Sequence, residues 1–394
     1  MTTVSFERPE HGQPYRELVA EHGSPVMLID AQRLRAAYRA LELALPGVAL
    51  HYAVKSFPEP AAVRILSEAG ARFDLASRGE IALVQSVGVD ARRTIHTHPV
   101  KTDQDIRATL RYGCTTFVVD NGFEIQKFVR YRHRVGLLLR VSFPNPGARV
   151  DLSRKFGCDM CDVPQLLRHA EQLGLHIKGL SFHVGSQCDG PQAHVAAIKA
   201  CAEVMDGWAG ETPMSVLDIG GGFPVDYSAG EQDPAAGIDA FCAPIRGALR
   251  ELPPGVEILA EPGRCISGPA VSLVCSVVGK AERGGKQWFY LDDGVYGAFS
   301  GQIYDGACYP LTFFAGEIAH ESAILAGPTC DSIDVIRESV PTPDFGLGDI
   351  VLARQMGAYT SASASEFNSI PRAPVVVIND SQPDAARPRL TTER

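Results

Sequence analysis

Eight short apolar runs, each followed by a stretch long enough for a helix, constrain this chain more than any other feature. They are Val48–Lys55, Arg72–Asp74, Thr94–Thr97, Thr116–Asp120, Val135–Val141, Ile177–His183, Ser215–Gly220 and Val256–Glu261. A strand-like Pro25–Asp30 and a helix-like Ala31–Ala44 precede them. Several spacers carry helix periodicity or start signals; Ser77-Arg78-Gly79-Glu80 has the form of a capping box. Strands alternating with helices form a parallel sheet, and eight such units close into a (β/α)8 barrel. The expected fold class is therefore α/β, with the barrel over residues 31–267. Barrels of this kind build their sites at the C-terminal ends of the strands. Lys55, Asp74, Arg140, His183, Gly220 to Gly222 and Glu261 all lie at or just past such ends.

The rhythm changes after Glu261. Ala270–Val278, Gln287–Asp292 and Val351–Leu352 are strand-like runs without helical spacers, with frequent Gly, Pro and Thr between them. They predict an all-β second domain over 268–394, joined by residues 1–30, which read as a polar arm and one strand. The polar, Pro-containing stretch Asp380–Arg394 is expected to fray. At 394 residues the chain can bury two sizeable cores. A net charge of −9 argues against binding to nucleic acid or anionic membranes. No run is long and apolar enough to span a bilayer, and no signal pattern opens the chain. Ten scattered cysteines predict reduced thiols in a cytoplasm. Cys158-Asp159-Met160-Cys161 lacks a second pair or a nearby histidine cluster, so packing thiols are expected there and no metal site.

Most lysines at strand ends simply reach water. One at the end of a buried strand is also placed to be a Schiff-base amine, because desolvation lowers its pKa and frees the neutral nucleophile. Lys55 is that residue here. Glycines at Gly220, Gly221 and Gly222 let backbone N–H groups approach an anion, although a triple glycine is by itself more often a tight turn. The spacing is not the dinucleotide fingerprint.

Further motifs accompany these: Tyr52-Ala53-Val54-Lys55, Phe73-Asp74-Leu75-Ala76-Ser77, His183-Val184-Gly185-Ser186, Asp218-Ile219-Gly220-Gly221-Gly222-Phe223-Pro224, Glu261-Pro262-Gly263-Arg264, Asp293-Gly294-Val295-Tyr296-Gly297, Gly327-Pro328-Thr329-Cys330-Asp331 and Met356-Gly357-Ala358-Tyr359-Thr360. In this order, over nearly the whole chain, they resemble the fold-type III pyridoxal-phosphate decarboxylases, the group of ornithine and diaminopimelate decarboxylases. Tyr304-Asp305 and the stretch from Gly357 to Phe367-Asn368 are most similar to the ornithine branch. Ser56-Phe57 departs from the small residue and Asn that many members carry after the lysine.

The resemblance implies pyridoxal 5'-phosphate (PLP) as cofactor, with Lys55 as its Schiff-base partner and Glu261 keeping the pyridine nitrogen protonated. Glu261 could otherwise be a structural salt-bridge partner of Arg264. The resemblance also implies a phosphate cup of Gly221, Gly222, Gly263, Arg264, Ser186 and Tyr359, and His183 stacked on the cofactor ring. Asp74 and Arg140 resemble charged supports near the lysine. Cys330 would protonate the substrate Cα, reaching the site from the neighbouring subunit of a homodimer. Substrate contacts would come from Asp305, Asp331, Tyr296 and Phe367.

Asp305 matches the acidic residue that ornithine-type members use for the distal ammonium, which favours L-ornithine. Lysine, 2,4-diaminobutyrate or a conjugated diamino acid of siderophore or other secondary metabolism are alternatives. A racemase shares the barrel and the lysine, but its two-base chemistry does not use the Gly-Pro-Thr-Cys-Asp loop. A non-catalytic regulator resembling the antizyme inhibitors is the reading from another class; retention of Lys55, the cup and Cys330 together argues against it.

Overall fold

The computed structural model describes residues 4–210, 213–228 and 237–380. Two strands, β1 (Val4–Glu7) and β2 (Val26–Asp30), precede the helix Ala31–Ala44. Asp30 ends β2 and caps that helix, its side chain accepting from Arg33 N–H. Leu34, Ala37, Tyr38 and Leu41 recur at helical spacing and face the core.

The barrel strands follow: β3 (Val48–Ala53), β4 (Arg72–Leu75), β5 (Thr94–His96), β6 (Thr116–Val119) and β7 (Gly136–Val141). A short strand β8 (Ala148–Val150) separates them from β9 (Ile177–Phe182), and β10 (Ser186–Cys188) pairs back onto β8. β11 (Val216–Asp218) and β12 (Glu257–Ala260) complete the set. β3, β4, β5, β6, β7, β9, β11 and β12 close into a parallel barrel, β12 pairing with β3. Each of the eight apolar runs contributes one strand. The interior is plugged by Ile95, Val118, Leu138, Val216 and Leu259, packed with Ala49. That plug pushes the polar strand-end residues to the C-terminal rim.

Seven further strands follow: β13 (Val271–Arg283), β14 (Lys286–Leu291), β15 (Leu311–Phe314), β16 (His320–Ala326), β17 (Val335–Thr342), β18 (Ile350–Ala353) and β19 (Val375–Ile378). With β1 and β2 they make one nine-stranded sheet. β13 is longer than its apolar run, because it serves two sets of partners. Its first half pairs with β2 and β18; beyond an irregularity at Val277–Gly279 it pairs with β14.

Residues 4–30 are more ordered than a polar arm. β1 pairs with β15, and Gln13–His22 is a helix. Asp380 is also held, 2.8 Å from Arg35 and 3.3 Å from Arg64. The rest of the stretch expected to fray lies outside the described residues. Cys158 is buried and Cys161 exposed, both unpaired. No helix among the described residues is long and apolar enough to cross a membrane.

Candidate active site

β3 carries Lys55 to the barrel mouth. The strand ends at Ala53, and a tight turn over Val54–Ser56 holds the lysine just beyond it. Lys55 Nζ donates to Asp74 Oδ2 at 2.8 Å and lies 3.8 Å from Glu261 Oε2. Desolvation pulls its pKa down, but the charges of Asp74 and Glu261 outweigh it and the net shift is upward. The expectation of a lysine made neutral by burial therefore fails in the cofactor-free protein. Two neighbouring acids hold the proton on Nζ.

Those acids differ. Burial raises the pKa of Asp74, but Lys55 more than offsets it, and the carboxyl sits below its usual range. Thr97 Oγ1 also donates to it. The same hydroxyl lies 3.4 Å from Glu261 Oε2, and its single proton serves one acid at a time. Glu261 is pushed well above its usual range, by burial first and then by Asp218 and Asp74. Asp218 is raised to about 6, again mainly by burial. Both acids are therefore held toward their protonated forms, while Asp218 Oδ1 takes the Gly220 N–H at 3.0 Å. Glu261 is not the salt-bridge partner of Arg264; that position belongs to Asp305.

His183 follows β9. Its Nδ1 accepts from Gly185 N–H at 3.1 Å, which leaves the ring proton on Nε2. Burial, then the charges of Arg140 and Lys55, push its pKa well below the ordinary value, so the ring is neutral. Arg140 projects over the Phe156 ring at 5.5 Å. Gly221 closes on His183: a Cβ there would stand 3.0 Å from His183 Nε2 and 2.7 Å from Glu261 O. Gly263 is equally confined, 2.9 Å from Ser56 Cβ.

Arg264 gathers the remaining cup residues. Nη2 donates to Ser186 Oγ at 3.1 Å and to Asp305 Oδ2; Nη1 donates to Tyr227 OH at 2.9 Å. The guanidinium carbon stands 4.8 Å from the centre of the Tyr359 ring. Tyr359 has φ 54°, a strained left-handed conformation for a bulky residue, and its N–H is tied to Ser56 O at 2.9 Å. Arg264 Nε is buried without a protein partner. Asp305 thus lies in the cup, on the arginine, rather than as a free acid.

A second group forms elsewhere. Tyr296 stacks on Phe367 with centroids 4.5 Å apart, and its hydroxyl donates to Asp331. Cys330 is exposed, its N–H bound to Asn368 Oδ1 at 3.0 Å. No hydrogen bond or ring contact among the described residues joins this group to Lys55 or Arg264. The expected site residues therefore fall into two sets, one at the barrel rim and one on the sheet.

Sequence reasoning missed Thr97, Tyr227 and the pairing of Asp218 with Glu261. Thr97 had a signal, being the polar end of its apolar run. Tyr227 had none. Glu80 departs from a full capping box: its N–H binds Ser77 Oγ, but its carboxylate takes Ala76 N–H.

These residues fit pyridoxal phosphate. They provide an amine between two acids, a glycine cradle that a Cβ would fill, and a buried guanidinium N–H with no partner among the described residues. Residues 31–268 match the model of the pyridoxal-dependent decarboxylase pyridoxal-binding domain. The fold superposes on lysine/ornithine decarboxylase from Vibrio vulnificus, complexed with putrescine, with a TM-score of 0.88 and 49% identity. That match covers 95% of this chain and 99% of the other. A lysine/ornithine decarboxylase of Selenomonas ruminantium is 36% identical, over 92% of both chains. Antizyme inhibitor 2 of Xenopus laevis is also 36% identical, over 84% of this chain and 76% of its own length. The chain belongs to the pyridoxal-dependent decarboxylase family.

Proposed function

We propose that this protein uses pyridoxal 5'-phosphate to decarboxylate a basic L-amino acid, most readily L-ornithine to putrescine, as a homodimer with shared sites. The observation that carries the reading is Lys55 Nζ between Asp74 and Glu261, on the same rim as an Arg264 with a spare N–H. The Vibrio relative was also solved with cadaverine, at 48% identity, so lysine stands beside ornithine as a substrate. 2,4-Diaminobutyrate and conjugated diamino acids follow.

The bound cofactor supplies an electron sink for the pair left behind when CO2 departs. Lys55 offers the amine that holds the cofactor, and Asp74 orients it. Glu261, as a buried carboxylate beside the ring nitrogen, would hold that nitrogen in its protonated form. His183, neutral and fixed by Gly185, would lie against the ring. Arg264, Ser186, Gly221, Gly222, Gly263 and Tyr359 would hold the phosphate. Asp305 and Asp331 would receive the distal ammonium beside Tyr296 and Phe367. Cys330 of the partner subunit would return a proton to Cα. Two observations support a second chain: Cys330 is unconnected to its own Lys55, and Ile303, Tyr304 and Ile333 are exposed. We assign the barrel to 31–267 and the β-domain to 1–30 with 268–394. The absence of a disulfide among the described residues supports a cytoplasmic setting.

The test is CO2 release from ornithine, lysine, 2,4-diaminobutyrate and meso-diaminopimelate, alongside borohydride labelling of Lys55 and of Lys55→Ala. Ornithine or lysine should lead, and the label should vanish with the lysine. Preference for meso-diaminopimelate would overturn the substrate assignment. Labelled protein that releases CO2 from none of them would move the conjugated substrates to first place. Protein that takes up no cofactor would favour the regulator.

A further inference from the structure

The glycine turn that follows β11 has a tether of its own. His194 is fully buried on the helix Gln192–Gly207. Its ring packs among Phe223, Phe241 and Phe182, with centroids 5.3, 5.8 and 6.4 Å away. Its Nε2 lies 2.9 Å from Gly221 O, and its Nδ1 is buried without a partner. Burial pushes its pKa down to about 4, so the ring is neutral at neutral pH and carries one N–H. A carbonyl can only accept, which places that proton on Nε2.

An aromatic pocket would hold a phenyl ring without leaving a nitrogen unpaired, so the imidazole is there at a cost. What it gains is the Gly221 carbonyl. That carbonyl and the Gly222 N–H belong to one peptide unit and point in opposite directions. Binding the carbonyl therefore turns the Gly222 N–H away from His194. The restraint matters because three successive glycines, two of them at φ 66° and 102°, have no side chains to fix their orientation.

We propose that His194 is a positioning residue for the phosphate-binding turn: it holds the Gly221–Gly222 peptide in the orientation that presents its N–H to the cofactor phosphate. This rests on the cofactor reading above. His194→Phe keeps the ring and removes the donor; His194→Gln keeps a donor. Cofactor-free wild type and variants are titrated with pyridoxal phosphate and, separately, with pyridoxal, which lacks the phosphate. Circular dichroism and the thermal midpoint report folding. His194→Phe should weaken pyridoxal phosphate binding about ten-fold, the scale of one lost buried hydrogen bond, and leave pyridoxal binding unchanged. His194→Gln should recover most of the loss. Should His194→Phe fail to fold, His194→Leu, equally unable to donate, is read in the same way. Unchanged binding of the phosphate ester, or equal loss for both ligands, overturns the proposal. Wild type that binds pyridoxal phosphate normally beside an unaffected His194→Phe overturns this inference alone; wild type that binds none overturns the cofactor reading and this inference with it.

Discussion

At the scale of single residues, the site is governed by three acids held in opposite directions. Lys55 pulls Asp74 below its usual range, whereas burial raises Asp218 and Glu261. Asp218 is raised to about 6 from 3.8, so the folded state holds its proton more tightly than the unfolded chain does. Wild type therefore loses stability as pH rises from about 4, and the loss is complete above about 6. Asp218→Asn cannot ionise and keeps an oxygen for the Gly220 N–H. Its stability, followed by thermal melts, should gain on wild type across that window and then stay level, by on the order of 3 kcal/mol at the plateau. A difference that is flat between pH 4 and 8 would contradict the raised pKa of Asp218. Asp74 and Glu261 were legible in the sequence, because each ends an apolar run and one strand suffices to aim it; Asp218, inside its run, was not. Nor was the division of labour among the three. It depends on which strands are neighbours, and Asp218 meets Glu261 only because β11 lies beside β12. The desolvation argument for Lys55 failed for the same reason: it considered one strand, and the opposing charges come from two others.

At the scale of elements, the turn after β11 and the short helix Gly301–Asp305 carry most of the consequence. Gly220 has φ 66°, and a Cβ there would stand 2.2 Å from Phe182 O, a backbone atom of the neighbouring strand. Gly255 has φ 89° with nothing within 4 Å. Gly220→Ala should therefore cost clearly more than the roughly 1 kcal/mol expected of Gly255→Ala from backbone strain alone. Thermal midpoints of the two proteins compare them, and equal losses would mean that the barrel yields easily at this point. Asp305 ends its helix on Arg264 and so supports the arginine, while the proposed function also gives it the distal ammonium. Losing one partner of such a charge pair typically costs about 2–5 kcal/mol, or roughly thirty-fold to several-thousand-fold in kcat/KM. Asp305→Ala should lose that much with ornithine and lysine, while cofactor affinity falls much less, because the phosphate replaces the missing anion. A cofactor affinity that falls as far as kcat/KM would assign Asp305 to the cup alone. Barrel strands were readable because they are buried on both faces and so are continuously apolar. β16 and β17 were not. They alternate irregularly, their pairing shifts register repeatedly, and β17 carries Arg337, Glu338 and Pro341 within eight residues.

At the scale of the whole molecule, the proposed sharing of sites between two chains has a direct test. Inactive Lys55→Ala and inactive Cys330→Ala proteins, mixed equally and allowed to exchange subunits, should form about half heterodimers, each with one intact site. Activity should return to about a quarter of wild type. No recovery, once exchange is confirmed by mass, would place both residues in one chain's site. The sheet that frames this arrangement has a further consequence. β2 is made early, yet its partners β13 and β19 come from far along the chain, after every barrel strand. During translation all eight barrel strands, with Lys55, thus leave the ribosome before the frame that seats them is complete, and Tyr359 emerges only after β18. Nascent chains stalled before Tyr359 should therefore fail to retain cofactor, as borohydride labelling would show.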